Sequence, residues 1–175
     1  MLDTFKTLLA DQYDAVFCML GACIDRCPDE SWDAPVANLR FCQVVFHTLF
    51  FTDVYLGENL VELRGQDFHQ EHAEAFADYE ELEHKVQEAM YTRPFIRAYL
   101  THCREKMARV IDGETEASLK KLPGFDWLEF SRAEVHVYNI RHIHHHAAQL
   151  GLRLRLDHAV EIPWCGSKWR DLASK

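Results

Sequence analysis

The chain has 175 residues, of which 48% are hydrophobic and 27% charged, with only 7 Gly and 5 Pro. These proportions fit one globular domain and exclude a mainly disordered chain or a turn-dense β fold. The formal net charge of −9 leaves no basic stripe for nucleic acid or for an anionic membrane surface.

The first helical pattern runs from Leu2 to Cys27. Leu2, Phe5, Leu9, Val16, Leu20, Cys23 and Cys27 recur at spacings of three and four, with Tyr13 and Met19 widening the stripe. Pro28 stops it. The acids Asp3, Asp11 and Asp14 interrupt this segment, and no uninterrupted run reaches the roughly 18 apolar residues of a membrane span. Neither a span nor a secretory signal is therefore expected, and the expected location is cytoplasmic. The segment CPDESWDAPVANLR reads as a loop. A second helix is expected from Asn38 or Arg40 to a C-cap at Gly57. It is apolar on most sides and the most buried of the set. Residues 58–91 are acidic and His-containing, with a short helix expected around Tyr79 to Met90, and read as a long crossover. A connection of that length lets the next helix run parallel to the one before it.

The third helix starts after an N-cap at Thr92, with Pro94 in its first turn. It carries the stripe Phe95, Tyr99, Cys103, Met107 and Val110 and ends at Asp112-Gly113. The fourth runs from Ser131 to Leu156, and Ser131 with Glu134 forms a capping-box pattern. Residues 157–175 form a tail with two of the four Trp, expected to fold back on the bundle. The reading is all-α: a four-helix bundle over 1–156 with a long crossover between its second and third helices, and a packed tail over 157–175.

Six Cys, at 18, 23, 27, 42, 103 and 165, include no Cys-x-x-Cys. They read as small core residues in a reducing compartment, although Cys23 and Cys27 stand one turn apart and could hold a soft metal. The denser signal is RHIHHHAAQ, with His142, His144, His145 and His146. At about 100° per residue, His146 lies about 40° from His142, on the half of the helix that faces the bundle. His144 faces out, and His145 is marginal. Two His four residues apart aim at a common point, the spacing of helical zinc sites. A third ligand then has to come from a facing helix. His47 suits it, because it sits among Val44, Val45, Phe46, Leu49, Phe50 and Phe51, where an unpaired imidazole is costly. The spacing leaves open that all three are core imidazoles bonded to nearby Asp, Tyr or carbonyl groups. His102 and His136 read as structural or supporting residues, and His69, His72, His84 and His158 as solvated.

A lone His early in the second helix, in FHTLFFTDVYL, followed by HIHHHAAQLGLRLR near the end of the last, resembles the DinB/YfiT-like superfamily of metal-dependent four-helix-bundle proteins. The resemblance covers residues 1–156. It implies an up-down-down-up bundle, often a homodimer, with a metal triad carried over to His47, His142 and His146. The family commonly has Arg-Gly-Gln after the last ligand, where this chain has Ala147-Ala148-Gln149. Some similar proteins are transferases or isomerases that use low-molecular-weight thiols such as bacillithiol or mycothiol. The expected cofactor is a divalent transition metal, Zn, Ni or Fe, since imidazoles without thiolates suit these ions. The expected chemistry is thiol-dependent transfer or hydrolysis on a small molecule, at a metal that keeps a coordination position free. Gln149, Asp53 and Glu134 are the candidate supporting or catalytic groups. The rival readings are a stress-response or binding protein with a structural metal, and a metal-free bundle with a polar core.

Overall fold

The computed structural model describes residues 1–76, 79–83 and 87–170. The expected His84 and the last five residues of the tail lie outside these. Four long helices form the body: α1 (Leu2–Arg26), α3 (Phe41–Leu56), α7 (Arg93–Gly113) and α9 (Arg132–His158). Shorter elements join them: α2 (Asp29–Trp32), the two-residue strands β1 (Pro35–Val36) and β2 (Leu39–Arg40), α4 (Leu60–Gly65), α5 (Asp67–Glu71), α6 (Ala73–Phe76), a 3₁₀ turn at Glu80–Leu82, and α8 (Glu116–Leu119).

Each of α1 and α3 packs against both α7 and α9. Side-chain pairs give the directions. Tyr13 meets His136 and the Cys23 thiol reaches the Ala147 carbonyl, so α1 and α9 run parallel. The Cys103 thiol reaches the Leu49 carbonyl and Lys106 reaches Asp53, so α3 and α7 are parallel too. Arg104 bonds Asp14 while Arg97 pairs with Asp25, which makes α1 and α7 antiparallel. The bundle is up-down-down-up, as expected. A parallel α3–α7 pair obliges the chain to return along a bundle edge of roughly 30 Å, and residues 57–92 make that return.

Local chemistry sets the helix ends. Pro28 follows α1. Thr92 caps α7 by accepting from the Phe95 N–H, with Pro94 in the first turn. Ser131 accepts from the Glu134 N–H at the start of α9, whereas the Glu134 side chain is exposed. Gly57 has an extended rather than a left-handed backbone, with φ −83°. A Cβ there would crowd Glu62, the Val54 carbonyl and Lys106. The expected loop at 27–40 contains α2 and a small hairpin. Trp32 anchors it by donating to the Tyr91 carbonyl at 2.7 Å under the Arg93 guanidinium.

By length and composition α1 could cross a membrane, contrary to the expectation of no such segment: a mean over 18 residues tolerates the acids that interrupt a strict run. That apolar window is 67% buried inside the bundle, against α7 and α9. The tail lies along α1 and α7, where Lys168 N–H donates to the Asp11 carbonyl and the Arg104 guanidinium covers the Trp169 ring. Trp164 does not share this cover and is 71% exposed beside His144.

The crossover is a string of short helices whose aromatic rings pack on α3 and α7. Phe68 stacks on Tyr99, Phe76 meets its edge, and Tyr91 stacks on Phe46 at 3.8 Å. The helix expected over 79–90 is, among the described residues, only the 3₁₀ turn at Glu80–Leu82 followed by irregular chain.

Candidate metal centre

On α3 only His47 and Phe51, one turn apart, escape full burial between Phe41 and Thr52. Across the antiparallel contact α9 presents His142 and His146. The three rings converge: centroids are 5.4 Å apart for His47–His142, 4.9 Å for His47–His146 and 4.7 Å for His142–His146. One nitrogen from each lies within 4.8 Å of the others.

Hydrogen bonds fix which nitrogens are free. The His47 Nδ1–H donates to Glu81 Oε2 at 2.6 Å, because a carboxylate only accepts. Its Nε2 lone pair is therefore available. The His146 Nδ1–H donates to Gln149 Oε1 at 2.9 Å, which frees Nε2 there as well. The Gln149 amide turns its other end to His145 Nε2 at 3.0 Å. His142 Nδ1 is buried and has no partner among the described residues.

Burial pushes the His142 imidazolium pKa down to about 3, helped by the neighbouring His146, His47 and His145. Burial likewise pushes His146 down to about 4, with His47 adding to the effect. Both rings are neutral near pH 7, the state a metal ligand needs. Three convergent imidazoles, two of them oriented through Nδ1 and one with an orphaned buried nitrogen, fit a divalent transition metal better than they fit a satisfied polar core. An orphaned nitrogen alone costs about 1–3 kcal/mol. Phe51, Tyr55 and Tyr138 form an aromatic wall beside His142.

The other expected residues are placed differently. Gln149 orients His146 and His145. Asp53 is fully buried but does not touch the triad. It stands six residues after His47, which turns it about 120° away around α3. There it accepts from Lys106 at 2.6 Å, His69 at 2.8 Å, and Tyr99 and Gln66 at 3.1 Å each. Burial alone would raise its pKa, but His102, His69 and the Lys106 charge outweigh that and hold its carboxyl well below the usual range. Glu134 is exposed in the first turn of α9, about 12 Å along the axis from His142.

His69 is buried, not solvated: its ring stacks on Phe76 at 3.7 Å, and its nitrogens meet Asp53 and Tyr79. His72 packs on Phe68 and Phe95, and His158 bonds Ser31 at 2.5 Å. His102 points to Gln66 at the edge of the Asp53 cluster. His136 is buried and bonds Glu114 at 3.0 Å and the Tyr13 hydroxyl at 3.3 Å.

The sequence reading missed Glu81. Nothing in the spacing of the acidic crossover singles it out. The chemistry does ask for it, since a metal-ligating His nearly always gives its second N–H to a carboxylate, carbonyl or water.

Comparison with protein families, curated proteins and solved structures finds no match for this chain. The structure shows a four-helix bundle with a three-His cluster that could hold a metal ion.

Proposed function

We propose that this chain is a metal-dependent enzyme of the DinB/YfiT-like type, holding one divalent transition metal on His47, His142 and His146 and acting on a small molecule. The observation that carries the reading is the convergence of three imidazoles, with Glu81 and Gln149 orienting two of them through Nδ1. The bundle topology and the chain order of the three His support the family. A metal held by three protein ligands supplies Lewis acidity and lowers the pKa of a coordinated water or thiol. The chain's own residues do the rest. The triad binds, Glu81 and Gln149 orient it, and Phe51, Tyr55 and Tyr138 offer an apolar wall to the substrate.

The thiol-dependent form of this chemistry, a cytoplasmic location and a homodimer complete the proposal. Leu152 and Leu156, exposed on the outer side of α9, support a dimer.

Cobalt substitution separates the enzyme from a structural-metal reading. We expect the visible bands of the Co(II)-loaded protein to shift with azide, and a sulfur-to-cobalt charge-transfer band to appear when a small thiol is added. A spectrum indifferent to both would mean a closed coordination shell and a structural metal.

A further inference from the structure

The crossover reaches the triad at Glu81, and the way it is held there is unusual. Glu81 lies in the 3₁₀ turn Glu80–Leu82, yet its side chain is only 2% exposed. Oε2 accepts from His47, while Oε1 is buried with no partner among the described residues. A half-satisfied buried carboxylate is costly, so the turn must be held there by other contacts. Those contacts start at Tyr79, which has φ 44°, the left-handed region that costs a non-glycine residue about 1–2 kcal/mol. Such strain persists only where surrounding contacts over-determine it. Here the Tyr79 ring meets Phe50 and Phe76, the Arg64 guanidinium lies 5.0 Å over its face, and its hydroxyl reaches His69 Nδ1 at 3.1 Å.

The proton order along this chain is settled by its far end. The Asp53 carboxylate can only accept, so His69 Nε2 carries the hydrogen. In the neutral ring His69 Nδ1 then accepts and the Tyr79 hydroxyl donates. Asp53 and His47 sit on different faces of the same helix. Hydrogen bonds thus run from Asp53 through His69 to Tyr79, two residues of backbone lead on to Glu81, and Glu81 returns to His47.

We propose that this strap around α3 sets the metal affinity of the triad, with Glu81 as a positioning residue for His47 and the Asp53–His69–Tyr79 relay as what keeps Glu81 in place. The inference rests on the metal-site reading above. The strap holds His47 with Nε2 facing the other two imidazoles before any metal arrives. It also makes the crossover, far from the triad in sequence, part of the site.

Two measurements test it. The first needs no metal: ¹⁵N–¹H correlation of the metal-free protein should show His47 as the Nδ1–H tautomer. Glu81→Ala should abolish that state, and Tyr79→Phe should weaken it. The second is zinc affinity by competition with a chromophoric chelator. Losing an outer-shell partner of this kind costs about 10–100-fold in metal affinity. We expect that loss for Glu81→Ala, a smaller one for Glu81→Gln, which still accepts, and about tenfold for Tyr79→Phe, whose site residues are intact. Should Glu81→Ala not fold, Glu81→Gln and Tyr79→Phe carry the test. Zinc affinity within twofold of wild type in these variants, with an unchanged His47 tautomer, would overturn the strap and leave the metal reading standing. A wild-type protein that binds no zinc, nickel or iron would overturn both, whatever the tautomer.

Discussion

Asp53→Ala should destabilise the metal-free protein by about 3–5 kcal/mol, because removing one partner of a buried ion pair strands the other. The Lys106 ammonium is buried and donates both to the Asp53 carboxylate and to its main-chain carbonyl. His69, Tyr99 and Gln66 lose the same acceptor. For a domain of this size the midpoint of thermal unfolding should fall on the order of 10 °C. Pairing Asp53→Leu with Lys106→Met should recover part of the loss, since an apolar pair of similar volume often matches a buried ion pair. Thermal or urea unfolding of the three proteins checks this. A loss below about 1 kcal/mol for Asp53→Ala would contradict a structural role for the cluster.

Acid should unfold the protein through a second carboxylate as well. Glu114 is buried between Arg132 and His136, and also accepts from Ser118. Burial alone would raise its pKa. The hydrogen bonds from His136, Ser118 and Arg132 outweigh it and bring the carboxyl down to about 2. Asp53 is lowered in the same sense. A carboxyl whose folded pKa is depressed adds stability above its unfolded pKa, and that stability is lost as pH falls through the folded value. The window therefore opens near the ordinary carboxyl range and extends to about pH 2 for Glu114. Each group contributes a slope of up to about 1.4 kcal/mol per pH unit, one proton's worth. Urea unfolding in chelator from pH 7 to pH 2.5 should show stability falling from about pH 6.5, because the buried His142 and His146 rings resist the protons that the unfolded chain takes up, and a steeper fall below about pH 4.5, where the two carboxyls join. Glu114→Gln should be less stable at pH 7 but should lose stability more gently on acidification. Parallel curves for the two proteins would contradict the assignment.

The helices were legible because helical periodicity and caps are local: Pro28, Thr92-Arg93-Pro94 and Ser131 each act within a turn. The metal triad was legible for a related reason. His142 and His146 share a helix face by arithmetic, and a solitary His in the apolar α3 demands a partner. The supporting groups were legible only in part. Gln149 lies one turn from His145 and three residues from His146, so helix geometry places it. Asp53 is a candidate supporting group from the sequence, but six steps of 100° turn it about 120° away from His47 around the helix. Glu81 and His69 come from a crossover with no periodicity, and their burial is decided by Phe68, Phe76 and Tyr79 folding onto α3 and α7. Such contacts depend on tertiary packing that no local pattern encodes.

The proposed function requires that three imidazoles on α3 and α9 hold one transition metal. Elemental analysis of untagged protein, purified without chelators or nickel resin, tests it most directly, for wild type and for His47→Ala, His142→Ala and His146→Ala. About one zinc, nickel or iron is expected per wild-type chain, lost in each variant, in line with a three-ligand site. A wild-type protein that holds no stoichiometric metal, even after reconstitution with each of the three ions, would contradict it and make the triad a polar core.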